Sequence, residues 1–166
     1  MVNEENLDKE NCLDKLKQKY DKFKSKYDLP EFLELNKFFD IEEVDFDTDF
    51  LLRKIRRVIS DRIAGYLRFI EIILNPSNAP MFFFKLIKKL EETDKEILSK
   101  TYELLGTFEV EIVGLDLNYG EKKEAEFIKK IYTMFTQDIS KRLLNVINKL
   151  SIEEIEKKEE KRSYFG

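Results

Sequence analysis

Along much of this chain, apolar side chains recur at alternating steps of three and four residues, the spacing that lines one face of an α-helix. Leu13, Leu16, Tyr20, Phe23 and Tyr27 do so first, with Lys, Asp and Glu between them, which predicts an amphipathic helix over about 4–27. Its narrow stripe suits docking on the body of the protein or pairing with a second chain as a short coiled coil. Asp28 is the expected cap of a next helix and Pro30 its first turn, with Phe32, Leu35, Phe38 and Phe39 turned inward. The strongest helical pattern runs from about Asp49 to Leu74, with Leu52, Ile55, Ile59, Ile63, Tyr66, Ile70 and Ile73 on one side. Asp47 or Thr48 is the expected N-cap, and Asn75 with Pro76 the stop.

Beyond that stop, Asn78 is the expected cap and Pro80 the start of a helix that carries Met81, Phe82, Phe83 and Phe84 in one unbroken run. Four consecutive apolar side chains point all the way round a helix, so one flat core does not cover them. This helix is expected to end near Glu92, where Thr93 to Glu96 has capping-box spacing. The helical pattern resumes through Ile97, Leu98, Leu105, Phe108, Ile112 and Leu115. Within it, "TFEVEIV" from Thr107 to Val113 alternates apolar and acidic residues as a half-buried strand does, and Gly106 precedes it as a possible break. Helix is preferred, because a lone strand needs a partner and no second segment alternates as well. Asn118 and Gly120 mark a turn. Phe127, Ile128, Ile131 and Phe135 follow on one helical face, and Ile139, Leu143, Val146 and Leu150 continue it past a polar step at 136–138, as one long helix or two. The predicted fold is an all-α, single-domain bundle of about six or seven helices with a possible short strand-like segment at 107–113. Residues 1–29 form the N-terminal amphipathic helix, 30–150 the bundle core and 151–166 a charged tail.

Composition agrees with long regular elements: 42% of residues are hydrophobic and 39% charged, with only five glycines and three prolines. The abundance of Lys and Glu matches proteins from hot environments, although a low-GC genome biases composition in a similar way. A formal charge of −4 argues against nucleic-acid binding over the whole surface and leaves room for a local basic patch. The single cysteine, Cys12, has no intrachain disulfide partner and fits a reducing compartment. With no apolar run of about 20 residues and an acidic, polar start, neither a membrane span nor a secretory signal is expected, so the default location is cytoplasmic.

Several chemistries are excluded. The chain has no histidine, which removes histidine-dependent triads and histidine-containing metal sites. No glycine-rich phosphate cradle is present. Asp45, Asp47 and Asp49 alternate like calcium ligands, but Phe50 stands where the loop needs glycine and Arg56 where it needs a bidentate glutamate. All-helical nucleotide pyrophosphohydrolases hold magnesium on paired ExxE and ExxD helices; Glu121 with Glu124 and Glu91 with Asp94 have that spacing in reversed order, which keeps a magnesium-dependent nucleotide hydrolase as a minor alternative. No catalytic residue, metal site or cofactor is assigned.

Two features remain. In "RKIRRVISDRIAGYLR", a rotation of about 100° per residue puts Arg53, Lys54, Arg57 and Arg68 opposite the isoleucines, a candidate anion or nucleic-acid face. Arg56 and Arg62 fall inside the apolar arc, where guanidinium groups need carboxylate partners and are read as structural ion pairs. The six acids from Asp40 to Asp49 are the expected partners for much of this basic patch; an acidic protein or nucleic acid is the alternative. The Met81–Phe84 ring is either the centre of the bundle or, in a two-layer arrangement, a partner or homodimer surface. By elimination, the chain reads as a non-catalytic interaction or adaptor module that self-associates through an apolar helix surface, with a nucleic-acid-associated protein as the runner-up and no membrane partner.

Overall fold

The computed structural model describes residues 2–150, and side chains from residue 11 onward with the exception of Asn78. The charged tail expected at 151–166 lies outside the described residues. Those described form an all-α bundle: α1 Val2–Tyr27, α2 Phe32–Phe39, α3 Leu51–Leu74, α4 Met81–Ile87, α5 Glu92–Leu117, α6 Glu121–Met134 and α7 Ser140–Leu150.

Helix α3 is the axis of the fold. It packs along α5 and against α6, while α7 returns against α5 and α2 closes one end. Leu52, Ile55, Ile59, Ile63, Ile70 and Ile73 are buried along its inner face, so the three-and-four spacing produces the predicted core stripe. Aromatic side chains lock the neighbouring layers edge to face. Phe39 meets Phe135 with ring centroids 5.0 Å apart, and Phe108 meets Phe127 at 6.0 Å. From α1, Leu16 and Tyr20 are buried in the same core, and the Tyr20 hydroxyl donates to the Pro30 carbonyl at 2.8 Å.

Helix ends differ from expectation in instructive ways. Asp28 does not cap α2. It ends α1 in the left-handed conformation with φ 55°, and the next amide, Leu29 N, returns to the Lys24 carbonyl at 3.2 Å, closing the helix as a Schellman turn. Asp40 ends α2 in the same left-handed conformation, with φ 52°, but its own amide returns to the Asn36 carbonyl at 2.9 Å, the single bond of the simpler αL motif. Neither Asp47 nor Thr48 is the N-cap of α3, which is Phe50. The α4 helix stops at Ile87 instead of reaching Glu92, and the capping box that opens α5 is Glu91 with Asp94, two residues before the expected Thr93–Glu96. Glu91 is free to accept from the backbone there because the chain has already left α4.

The strand-like segment is helical throughout, since α5 runs unbroken past Gly106. Its alternation has a physical origin. Leu105, Phe108, Ile112 and Leu115 face the core, while Val110, Val113 and Leu117 are exposed on the opposite side, with Glu109 and Glu111 between the two faces. A helix apolar on two opposite faces mimics a period of two.

The polar step at 136–138 does not break the helix. Phe135–Ile139 form a π turn that joins α6 to α7 as one rod. Buried Ile131, Phe135, Ile139 and Leu143 are spaced by four, and an ideal helix would rotate that row about 40° at each step. The wider π turn takes the rotation back, and the Thr136 hydroxyl satisfies the Tyr132 and Thr133 carbonyls, each at 3.0 Å.

Candidate functional site

An open apolar groove of about 680 Å³ lies between α3, α4 and α7. Each wall follows from its helix. On α3, Tyr66 and Phe69 border the isoleucine stripe, and Gly65 beside them leaves the floor low; a Cβ built there would meet nothing within 4 Å. On α4, Phe82, Phe83 and Leu86 form the second wall, and Ile147 and Leu150 of α7 the third.

This placement resolves the Met81–Phe84 run. The helix is short and peripheral, so no surrounding layer encloses the ring. Leu86 is buried and Phe83 half-buried, whereas Met81 is 88% exposed, Phe82 lies open at the lip and Phe84 is exposed outside the groove lining. The reading of this helix as the bundle centre is therefore corrected.

Of the charged side chains, Asp61 and Arg62 line the groove, and Arg62 is paired with Asp40. Along the outer face of α3 stand Lys54, Arg57, Asp61, Gly65 and Arg68, with Arg57 one turn before the groove and Arg68 one turn beyond Gly65. Among the described residues, no carboxylate is in ion-pair contact with Lys54, Arg57 or Arg68. Asp61, which lines the groove, lacks such a partner too. Burial and the facing Asp61 push the Glu109 carboxyl above the ordinary glutamate range.

Arg53 belongs to a different environment. It lies 3.5 Å from Asp116 and over the Tyr119 ring at 5.6 Å, and Tyr119 in turn meets the exposed Phe50. Beneath it, Arg56 is fully buried. Its Nε donates to Glu124 at 2.6 Å and its Nη2 to Asp116 at 2.5 Å. Burial pushes the Glu124 carboxyl up against the opposing pull of Arg56, whereas Arg56 and Arg53 hold Asp116 below the usual carboxylate range. The partners of this patch are thus mostly not the expected ones. Of the acids from Asp40 to Asp49, Asp40 pairs with Arg62, and that pair lies at the surface instead of inside the apolar arc. The rest of the segment is tied by other means: Lys19 donates to the Phe46 carbonyl at 3.0 Å and to that of Thr48, and the Asp47 amide bonds Asp45 at 2.9 Å. Sequence spacing pointed to neighbours along the chain, but helices α5 and α6 bring Asp116 and Glu124 closer in space.

The carboxylate pairs weighed for magnesium are engaged elsewhere. Glu121 accepts from Lys26 at 2.7 Å and Tyr27 at 2.5 Å, Glu124 accepts from Arg56, and Asp94 accepts from Lys149 at 2.6 Å besides capping α5. Among the described residues, no group of three or more acidic or cysteine side chains is arranged to hold a metal ion, and no helix is long and apolar enough to cross a membrane.

Gly65, Tyr66, Phe69, Ile147 and Leu150 join the groove although sequence reasoning did not select them. Only Gly65 carried a signal, as a glycine inside a long helix. The described residues define an all-α bundle with an open apolar groove, beside which stand charges that have no ion-pair partner among them. No family model, characterised protein or solved structure matches the chain.

Proposed function

We propose that the chain is a non-catalytic adaptor whose α3/α4/α7 groove takes an amphipathic helix of a protein partner. The observation that carries this reading is the groove itself, apolar on three walls and widened at Gly65, with Phe82 open at its lip. Helix-in-groove recognition needs such a trough and reads large apolar anchors at successive turns. Charge supplies the orientation. Arg57 and Arg68 are eleven residues apart on α3, about 16 Å along the axis, with Asp61 between them. The matching helix carries a carboxylate near each end and a cation between them.

A labelled helix of about 18 residues with leucine anchors and that charge order, set against its charge-reversed counterpart, tests the reading by fluorescence anisotropy. The matched peptide is expected to bind the wild type more tightly than the reversed one, with an affinity that falls as salt rises. Gly65→Leu, whose Cβ meets nothing within 4 Å and whose side chain projects into the floor, is expected to abolish binding while leaving helical circular dichroism unchanged. Equal binding of the two peptides, or binding unaffected by Gly65→Leu, refutes the proposal.

The nucleic-acid reading keeps one supporting observation, the three cations Lys54, Arg57 and Arg68, which have no ion-pair partner among the described residues. A salt-sensitive shift of labelled single-stranded DNA or RNA that disappears in Lys54→Glu/Arg57→Glu is its test.

A further inference from the structure

The outer face of α5 is a second unpartnered surface, unlike the groove: a narrow apolar stripe with Glu103 at one end. Val110 is 75% exposed and Leu117 84%, with Val113 also exposed, although a helix of a closed bundle normally turns polar residues outward. Gly106 and Gly114 share this face, and a Cβ at either would meet nothing within 4 Å. Both lie inside the helix, where glycine is less favourable than alanine, and no neighbour in the fold needs the space they leave. The space therefore faces outward.

Their order along the helix is self-complementary. Gly106 and Leu117 are equidistant from the point between Glu111 and Ile112, and so are Val110 and Val113. We infer that a second copy of this chain packs antiparallel on the outer face of α5 about a two-fold axis through that point, each Leu117 filling the notch at the other copy's Gly106. Val110 of each copy then lies against Val113 of the other. Every contact occurs twice, as an isologous interface requires, and ridge-into-groove packing of the two helices is possible because the glycines lower the surface beside the valines. Charge agrees with the direction: Glu103, which has no ion-pair partner among the described residues, is brought level with the other copy's Gly120, beside the first turn of α6 that carries Lys123 and the Glu126-paired Lys122. In a parallel pairing, Glu103 would meet Glu103 and Leu117 would meet Leu117, leaving both notches empty.

The stripe from Glu103 to Leu117 is about 21 Å long, shorter than a typical interface of about 800 Å² per partner requires. The dimer is accordingly weak, with a dissociation constant in the micromolar range. It is independent of the α3/α4/α7 groove, so either assignment can fail alone.

Sedimentation velocity and light scattering on the full chain, from about 5 to about 500 μM, test it. The wild type is expected to rise from the mass of one chain towards two. Val110→Glu/Leu117→Glu and Gly106→Phe are expected to stay at one chain over the whole range, with helical circular dichroism unchanged because all three positions face open space. Phe82→Glu, at the groove lip, is expected to dimerise as the wild type does. A wild type that remains at one chain throughout overturns the inference, as does a dimer that survives the α5 substitutions or is lost in Phe82→Glu.

Discussion

Arg56 gives the sharpest test of the buried charge cluster. Arg56→Met keeps much of the side chain's length and removes its charge. Glu124, fully buried, then faces the choice of remaining an uncompensated carboxylate or taking up a proton. Protonation is the cheaper course, and at pH 7 it costs about 3.7 kcal/mol, from about 1.36 kcal/mol per pH unit above the usual glutamate value of about 4.3. Asp116 adds little, because its side chain is 44% exposed and regains water. The expected loss is about 3–4 kcal/mol, within the range for breaking a buried pair and a large share of a domain's stability. The sign with pH is fixed. In Arg56→Met, the folded-state pKa of Glu124 lies above its unfolded value, so the folded state binds the extra proton and the penalty grows as pH rises between the two. Urea unfolding followed by far-ultraviolet circular dichroism at pH 5, 6 and 7 is expected to show the deficit shrinking by about 1.4 kcal/mol per unit towards pH 5. Arg56→Met/Glu124→Met is expected to recover most of the loss, since Arg56 Nη1 and Glu124 Oε1 make no protein hydrogen bond and the cluster is only partly satisfied. A deficit below about 1 kcal/mol at pH 7, or one that does not vary with pH, would refute a buried ionic pair at this position.

Gly65→Ala is expected to raise stability by about 0.5–1 kcal/mol, measured by the same unfolding curves, because the position is helical and its Cβ meets nothing. On α4, Phe83→Ser is expected to destabilise by about 1–3 kcal/mol, while Met81→Ser and Phe82→Ser stay within about 0.5 kcal/mol, following their burial. Asp94→Ala, which removes half of the capping box and the Lys149 contact, is expected to cost about 1–2 kcal/mol at pH 7. Lys149 and the Glu91 amide hold the Asp94 carboxyl below the usual aspartate range, so its contribution is present above the unfolded pKa and lost as pH falls through the lower folded value. Acid titration of wild type and variant should therefore show the two begin to converge only as pH falls below about 4.

By itself, the sequence determined the helical character of this protein and most of its core. Spacings of three and four are local, and the rotation of a helix converts them directly into a buried face, as the isoleucines of α3 and the aromatics of α2 show. Proline at 76 and 80 and the turn at 118–120 likewise act within a few residues. The same local logic misread 107–113, because two opposite apolar faces on one helix imitate alternation, and it misplaced caps that several nearby residues were equally able to supply. Tertiary structure alone decided which charges meet and which apolar residues stay open. Arg56 finds Glu124 across 68 residues of chain, an encounter that the spacing of its own helix does not encode. Phe82 is exposed and Phe39 buried although both belong to aromatic runs in short helices. The difference lies in what surrounds each helix: α2 is packed against α1 and α3 at the closed end of the bundle, while α4 sits at its rim, and burial depends on the number of neighbours that long-range packing brings to a side chain.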